Sequence, residues 1–201
     1  MKYIYTLLFI TGLVFTWSII HPKDSFTWFM EVFPAIIGLV ILSFTFKKFR
    51  FTNLVYTLIA IHCCILFVGG HYTYAEVPLF DWIRDLFHQQ RNNYDKVGHF
   101  AQGFIPVVIT RELMLRKNVL SKKSWLNFIA VCICMAISAT YEFIEWLVSG
   151  LTGESADAFL GTQGYVWDTQ SDMLYATIGA IVALTVLSRV HDKQLRLTSY
   201  E

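Results

Sequence analysis

Long apolar runs alternate with short polar breaks along this chain. Six runs approach the length of a bilayer span: residues 3–20, 28–46, 54–72, 97–115, 125–148 and 171–190. A helix rises about 1.5 Å per residue, so about 20 mostly apolar residues cross a hydrocarbon layer of roughly 30 Å. The pattern predicts an all-α fold: a polytopic transmembrane helix bundle of about six spans, forming a single integral membrane domain over 1–201. Aromatic residues mark the ends of the runs, at Trp17, Trp28, Tyr72, Trp125, Trp146 and Trp167. Such rings favour the headgroup level. The first run follows Lys2 and lacks a small-x-small cleavage site, so it reads as a retained span and not a signal peptide.

Two breaks are long enough to be more than turns. Residues 73–96 contain LFDWIRDLFHQQ, in which Leu79, Trp82, Ile83, Leu86 and Phe87 recur at helical spacing. Asp81, Arg84, Asp85 and His88 fall between them. This predicts a short amphipathic helix, lying on the membrane surface or capping the bundle. Residues 149–170 carry four glycines and predict a structured loop.

Charge then sets orientation. Lys47, Lys48 and Arg50 follow the second run; Arg116, Lys117, Lys122 and Lys123 follow the fourth; Arg189, Lys193 and Arg196 close the last. The alternate breaks are mixed or acidic: Glu154, Asp157 and Asp168 after the fifth run have no Lys or Arg beside them. Basic short loops stay in the cytoplasm, so both termini are expected to be cytoplasmic and residues 73–96 and 149–170 to lie outside. The composition agrees. Residues are 55% hydrophobic and only 15% charged, against about 25% charged in soluble domains. The net charge of +1 and the lack of any basic tail or zinc-finger spacing argue against a nucleic-acid partner. The expected partner is the lipid bilayer. Cys63, Cys64, Cys132 and Cys134 all lie within apolar runs and read as small packing residues.

The charges that interrupt the runs are not scattered. Asp95 and His99 are four apart at the start of the fourth run, with Gln102 on the same stripe; Glu142 and Glu145 are three apart near the end of the fifth; Asp168 and Asp172 are four apart at the start of the sixth. These spacings put each pair on one helix face. Glu142 lies about 26 Å of helix beyond Trp125, close to the outer interface. All six side chains therefore fall at one depth, and Glu31 and His71 are near enough to join them. Such a cluster cannot be fully ionised in a low-dielectric site. It must share protons, pair with Lys or Arg (Lys96 being the nearby cation), or coordinate a metal. Asp95, His99, Glu142, Glu145, Asp168 and Asp172 are thus candidate catalytic groups. Asp95, His99, Glu142, Glu145 and Asp172 are also candidate ligands for a divalent metal, zinc, manganese or iron in preference to calcium.

Each feature has a structural reading too. Polar groups at helix ends cap helices and bond across bundles, and Asp95 and Asp168 suit helix N-termini. His62 reads as a hydrogen-bonded core histidine, and Arg111 as a residue snorkelling to the inner headgroups. Gly179 and Ala183, with Ala176 and Ala180, offer a small-residue face for close helix packing.

YDKVGHFAQGF, RELMLR, YEFIEW and FLGTQGYVWDTQSDM, in that order between about residues 94 and 180, resemble the YjdF-type family of uncharacterised bacterial inner-membrane proteins. The resemblance implies a multi-pass protein of the bacterial cytoplasmic membrane and brings no activity with it. A more distant similarity is to VanZ-like membrane proteins, through Asp95, Lys96, His99 and Phe100. That pattern is departed from at Glu145, where Gln is usual, and at Ala176, where Asn is usual. Three functions fit the sequence: an enzyme acting on a lipid headgroup or envelope precursor, a proton-coupled small-solute carrier, and a non-catalytic membrane assembly or accessory protein.

Overall fold

The computed structural model describes residues 1–152 and 163–198. Residues 153–162 of the glycine-rich segment, including Glu154 and Asp157, lie outside the described residues. Among the described residues there are seven α-helices and no strand. They are α1 (Lys2–Ile19), α2 (Ser25–Thr45), α3 (Asn53–Tyr72), α4 (Pro78–Leu86), α5 (Tyr94–Arg116), α6 (Leu126–Thr152) and α7 (Asp168–Thr198). Five of them, α1, α2, α3, α6 and α7, are long and apolar enough to cross a membrane. Their outward faces carry large apolar side chains such as Phe44, Phe143, Trp146 and Leu174, as expected of surfaces bathed in hydrocarbon.

The predicted fourth run is α5, and it differs from the others. Asp95, Lys96, His99, Arg111 and Glu112 lie along it, and all are buried. It packs against α3, α6 and most extensively α7. A helix screened from lipid by its neighbours has no need to be apolar, which is why its composition stands apart.

The α5–α7 contact is made by small residues. A Cβ on Gly103 would run into the backbone of Ala176, and one on Gly179 into the backbone of Phe100. Ala176, Ala180 and Ala183 are completely buried beside them. The small-residue face read from the sequence is therefore the one that docks α7, and Gly103 is its counterpart on α5. The close approach lets short acidic side chains on α7 reach α5.

The other helices are tied at their ends. The Asp24 carboxylate accepts from the Thr27 N–H at 2.6 Å and caps α2; Thr52 caps α3. Lys23 pairs with Glu76, and its N–H donates to the His71 carbonyl at 2.9 Å, joining the α1–α2 turn to the end of α3. Along α4, Leu79, Trp82, Leu86 and Phe87 are exposed, while Arg84 pairs with Asp81 and Asp85. This apolar face suits a membrane surface. Of the cysteines, Cys63 and Cys134 are buried, but Cys132 is exposed on the outward side of α6, so the packing role does not extend to it.

Candidate functional site

The acidic pairs meet. The start of α5, the end of α6 and the start of α7 bring Asp95, His99, Glu142, Glu145, Asp168 and Asp172 to one end of the bundle, all buried. His99 is the hub. Its Nε2 lies 3.2 Å from Asp95 Oδ1 and 3.9 Å from Asp172 Oδ2; its Nδ1 lies 3.1 Å from Gln102 Oε1 and 3.9 Å from Glu142 Oε1. An imidazolium donating from both nitrogens fits this arrangement. So does a neutral ring with the Gln102 amide turned over to donate.

Lys96 is on the other side of Asp172. Its ammonium lies 2.5 Å from Asp172 Oδ1, 2.7 Å from Asp168 Oδ1 and 3.4 Å from Asp95 Oδ2. The sequence pointed to Lys96 alone, but a second cation is present. Arg91 Nη1 donates to Asp168 Oδ1 at 2.6 Å, and Nη2 lies 3.6 Å from Asp95 Oδ2. Tyr165 stacks near both cations. Asp168 is thus held by Lys96 and Arg91 as well as opening α7, while Asp95 and Asp172 each divide their oxygens between cations and His99.

Glu145 faces a cavity of about 150 Å³ whose wall also includes Glu31, His62, Tyr74, Asp95, His99 and Tyr141. That is room for several waters. Glu31 does join the cluster: the Tyr141 hydroxyl donates to its Oε2 at 3.2 Å. His71 does not. It packs on Trp17, with Nδ1 3.1 Å from the Ser18 carbonyl. His62, read as a hydrogen-bonded core histidine, lines the floor of the cavity. Glu142 Oε1 is buried without a hydrogen-bond partner among the described residues.

Pro34 of α2 and Pro106 of α5 also form the wall. A proline within a helix leaves the carbonyl four residues earlier without its N–H partner, here those of Met30 and Gln102, beside Glu31 and His99. Both prolines sit in apolar runs, a signal for this cavity that the sequence carried. Nothing comparable marked Tyr74, Tyr141 or Arg91.

Chemically, the arrangement can bind a cation. Asp95, His99 and Asp172 each present one ligand atom, and these atoms lie within 4.8 Å of one another. Edges of 3.2 and 3.9 Å from His99 Nε2 are near those between ligands held about 2.0–2.2 Å from one metal. Buried carboxylates outnumber the cations that reach them, and an unpaired buried charge is strongly unfavourable.

A second polar cluster lies at the opposite end of the bundle. Glu112 is fully buried. Its Oε1 accepts from the Thr52 N–H and from Arg116 Nη1, both at 2.9 Å; its Oε2 accepts from the Thr52 hydroxyl at 2.8 Å and lies 3.0 Å from His191 Nε2. Arg111 lies 3.1 Å from His191 Nδ1 and donates to Asp192 at 2.7 Å. The expectation that Arg111 snorkels to headgroups is corrected: it is buried and paired with α7.

A helix bundle with apolar outward faces and a charged interior is a polytopic membrane protein. Comparison with known proteins gives the same class and a family. The family model described as "Predicted membrane protein (DUF2238)" matches residues 3–193. The chain is 44% identical over 184 residues to "Inner membrane protein YjdF" of Escherichia coli strain K12, covering 92% of this chain and 88% of that protein. The chain belongs to this family and is a multi-pass protein of the bacterial inner membrane. No solved structure matches it.

Proposed function

We propose that the buried cluster is a divalent-metal site acting on the polar headgroup of a lipid, or of a lipid-linked envelope precursor, at the outer face of the membrane. The observation that carries this reading is the convergence of Asp95, His99 and Asp172, whose ligand atoms lie within 4.8 Å of one another, beside the cavity that Asp95 and His99 line. Two carboxylates and an imidazole suit zinc, manganese or iron. Such a metal, when bound, supplies Lewis acidity and an activated water. Glu31 and Glu145 face the same cavity and serve as acid or base toward a bound headgroup. Lys96 positions Asp172.

The topology belongs to this proposal. The chain is one membrane domain with six spans, the lipid-shielded α5 being the fourth, and both termini are cytoplasmic. The basic clusters at Lys47–Arg50, Arg116–Lys123 and Arg189–Arg196 support it, since they share the end opposite the acidic cavity.

The test is metal content. The full chain, purified in mild detergent, stripped and reloaded with zinc or manganese, should retain about one equivalent. His99→Ala and Asp172→Ala should lose it. Wild type that retains no more than these variants would remove the reading. A proton-coupled carrier is the second reading, favoured by His62 at the cavity floor, toward the middle of the bundle. It predicts proteoliposome flux that Glu145→Gln abolishes.

A further inference from the structure

A second cavity, separate from the acidic one, opens between α2 and α5. Both helices pack on α3, and the space left between them is a groove of about 540 Å³. That is within the roughly 300–1,000 Å³ of ligand sites. Its wall is mostly apolar, with Gly38 and Leu42 from α2, Ile59 from α3, and Ile109 and Leu113 from α5. Ile41 and Leu113 are exposed along it, so it opens sideways toward the hydrocarbon.

The ends of the groove differ. At one end are Lys48, just past α2, and Lys117, just past α5. Both are exposed, and no carboxylate lines the groove. At the other end is His62, where the groove meets the floor of the acidic cavity through shared residues Pro34, His62 and Leu66. His62 lies ten residues along the chain from Thr52 at the start of α3, about 15 Å of helix. Half of a hydrocarbon layer is also about 15 Å. The groove therefore has the depth of one leaflet, with ammonium groups at headgroup level and an apolar slot from there to the midplane.

We propose that the groove between α2 and α5 binds one anionic phospholipid of the leaflet on the Lys48 and Lys117 side, its phosphate on these two lysines and an acyl chain along Ile59, Ile109 and Leu113 toward His62. The match of cationic mouth to anionic headgroup selects this occupant over a neutral lipid. The match of depth to one leaflet selects it over a lipid of the opposite leaflet, whose headgroup would have to lie at the acidic cavity. The inference does not rest on metal binding or turnover at that cavity.

Two variants probe the two ends. Lys48→Gln with Lys117→Gln removes the charge at exposed positions. Gly38→Leu fills the slot, and a Cβ at Gly38 meets nothing within 4 Å, so the helix tolerates it. The full chain is reconstituted into nanodiscs of equal phosphatidylglycerol and phosphatidylcholine, extracted gently, and its retained lipid read by native mass spectrometry. Wild type should retain phosphatidylglycerol over phosphatidylcholine by about tenfold, and the double lysine variant should lose that preference. Gly38→Leu should lower retention of both lipids. Equal retention of the two lipids by wild type would reduce the groove to ordinary boundary lipid and overturn the proposal. So would a preference unchanged by the lysine substitutions, or retention unchanged by Gly38→Leu.

Discussion

The two polar ends of this bundle are built from the same kinds of residue and solve opposite problems. At the basic end, Glu112 is fully buried and accepts from Thr52, Arg116 and His191. Arg111 and Asp192 complete the set, with the Arg111 Nε left without a hydrogen-bond partner among the described residues. His191 takes a hydrogen bond at Nδ1 and gives one at Nε2, the tautomer its neighbours require. The charges of Glu112, Asp192, Arg111 and Arg116 balance. At the acidic end the carboxylates exceed the cations, Glu142 Oε1 has no hydrogen-bond partner among the described residues, and a cavity lies alongside. Satisfied networks rigidify a fold; a network left short of partners is where a ligand makes up the difference. The contrast supports a stabilising role for the Glu112 cluster and, under the proposed function, a chemical one for the His99 cluster.

The largest effect should come from the balanced end. Glu112→Ala leaves His191, Arg116 and the Thr52 N–H without their shared acceptor. Removing one partner of a buried ion pair costs about 3–5 kcal/mol. The variant should fail to accumulate as a folded protein, or melt far below wild type in detergent. Glu142→Ala should cost less, about 1 kcal/mol, because one oxygen of its carboxylate is already without a hydrogen-bond partner among the described residues. Equal losses from the two would erase the distinction drawn between the clusters.

A smaller effect is expected from Lys96. Replacing it with Met removes the ammonium that Asp168 and Asp172 share, leaving their like charges side by side on α7 and opposite Asp95 of α5. A loss of about 2–3 kcal/mol is expected, near the lower end for a broken buried pair. Arg91 still holds Asp168, which limits the damage. Asp172→Asn added to Lys96→Met should restore part of the loss, with a coupling of about 1 kcal/mol or more in a double-mutant cycle. Simple additivity would mean that the two side chains do not depend on each other.

The difference between the ends also explains what the sequence revealed. The acidic pairs were legible because each is local: Asp95 and His99, Glu142 and Glu145, Asp168 and Asp172 announce themselves by spacing on a helix. A common depth follows from the direction of each run. The Glu112 cluster was not legible as a whole: Glu112 and Arg116 are four apart on α5, but Thr52 and His191 come from other elements and only the fold brings them to Glu112. Arg111 looked like a snorkelling residue since only the fold brings Asp192 to it. Arg91 was missed for the same reason, sitting in a break between helices. The α5–α7 packing was half legible: the small residues of α7 stood out at intervals of four, whereas Gly103 was one glycine with no period.

Glu142→Gln should have the smallest effect on stability and the most informative one on function. The carboxylate lies 3.9 Å from His99 Nδ1 and has Asp95 and Asp172 on the far side of the ring. Converting it to an amide removes one negative charge from an end that has an excess, and supplies donors where other oxygens crowd. Folding stability should stay level or rise by up to about 1 kcal/mol. Zinc retention should survive, because Asp95, His99 and Asp172 remain. Zinc at 100 times its dissociation constant should then stabilise wild type and Glu142→Gln alike by about 2.7 kcal/mol, and His99→Ala not at all. If Glu142→Gln instead lost both stability and metal response, Glu142 would be a ligand or a structural partner of His99. The excess of acid at this end would then be part of what holds the bundle together.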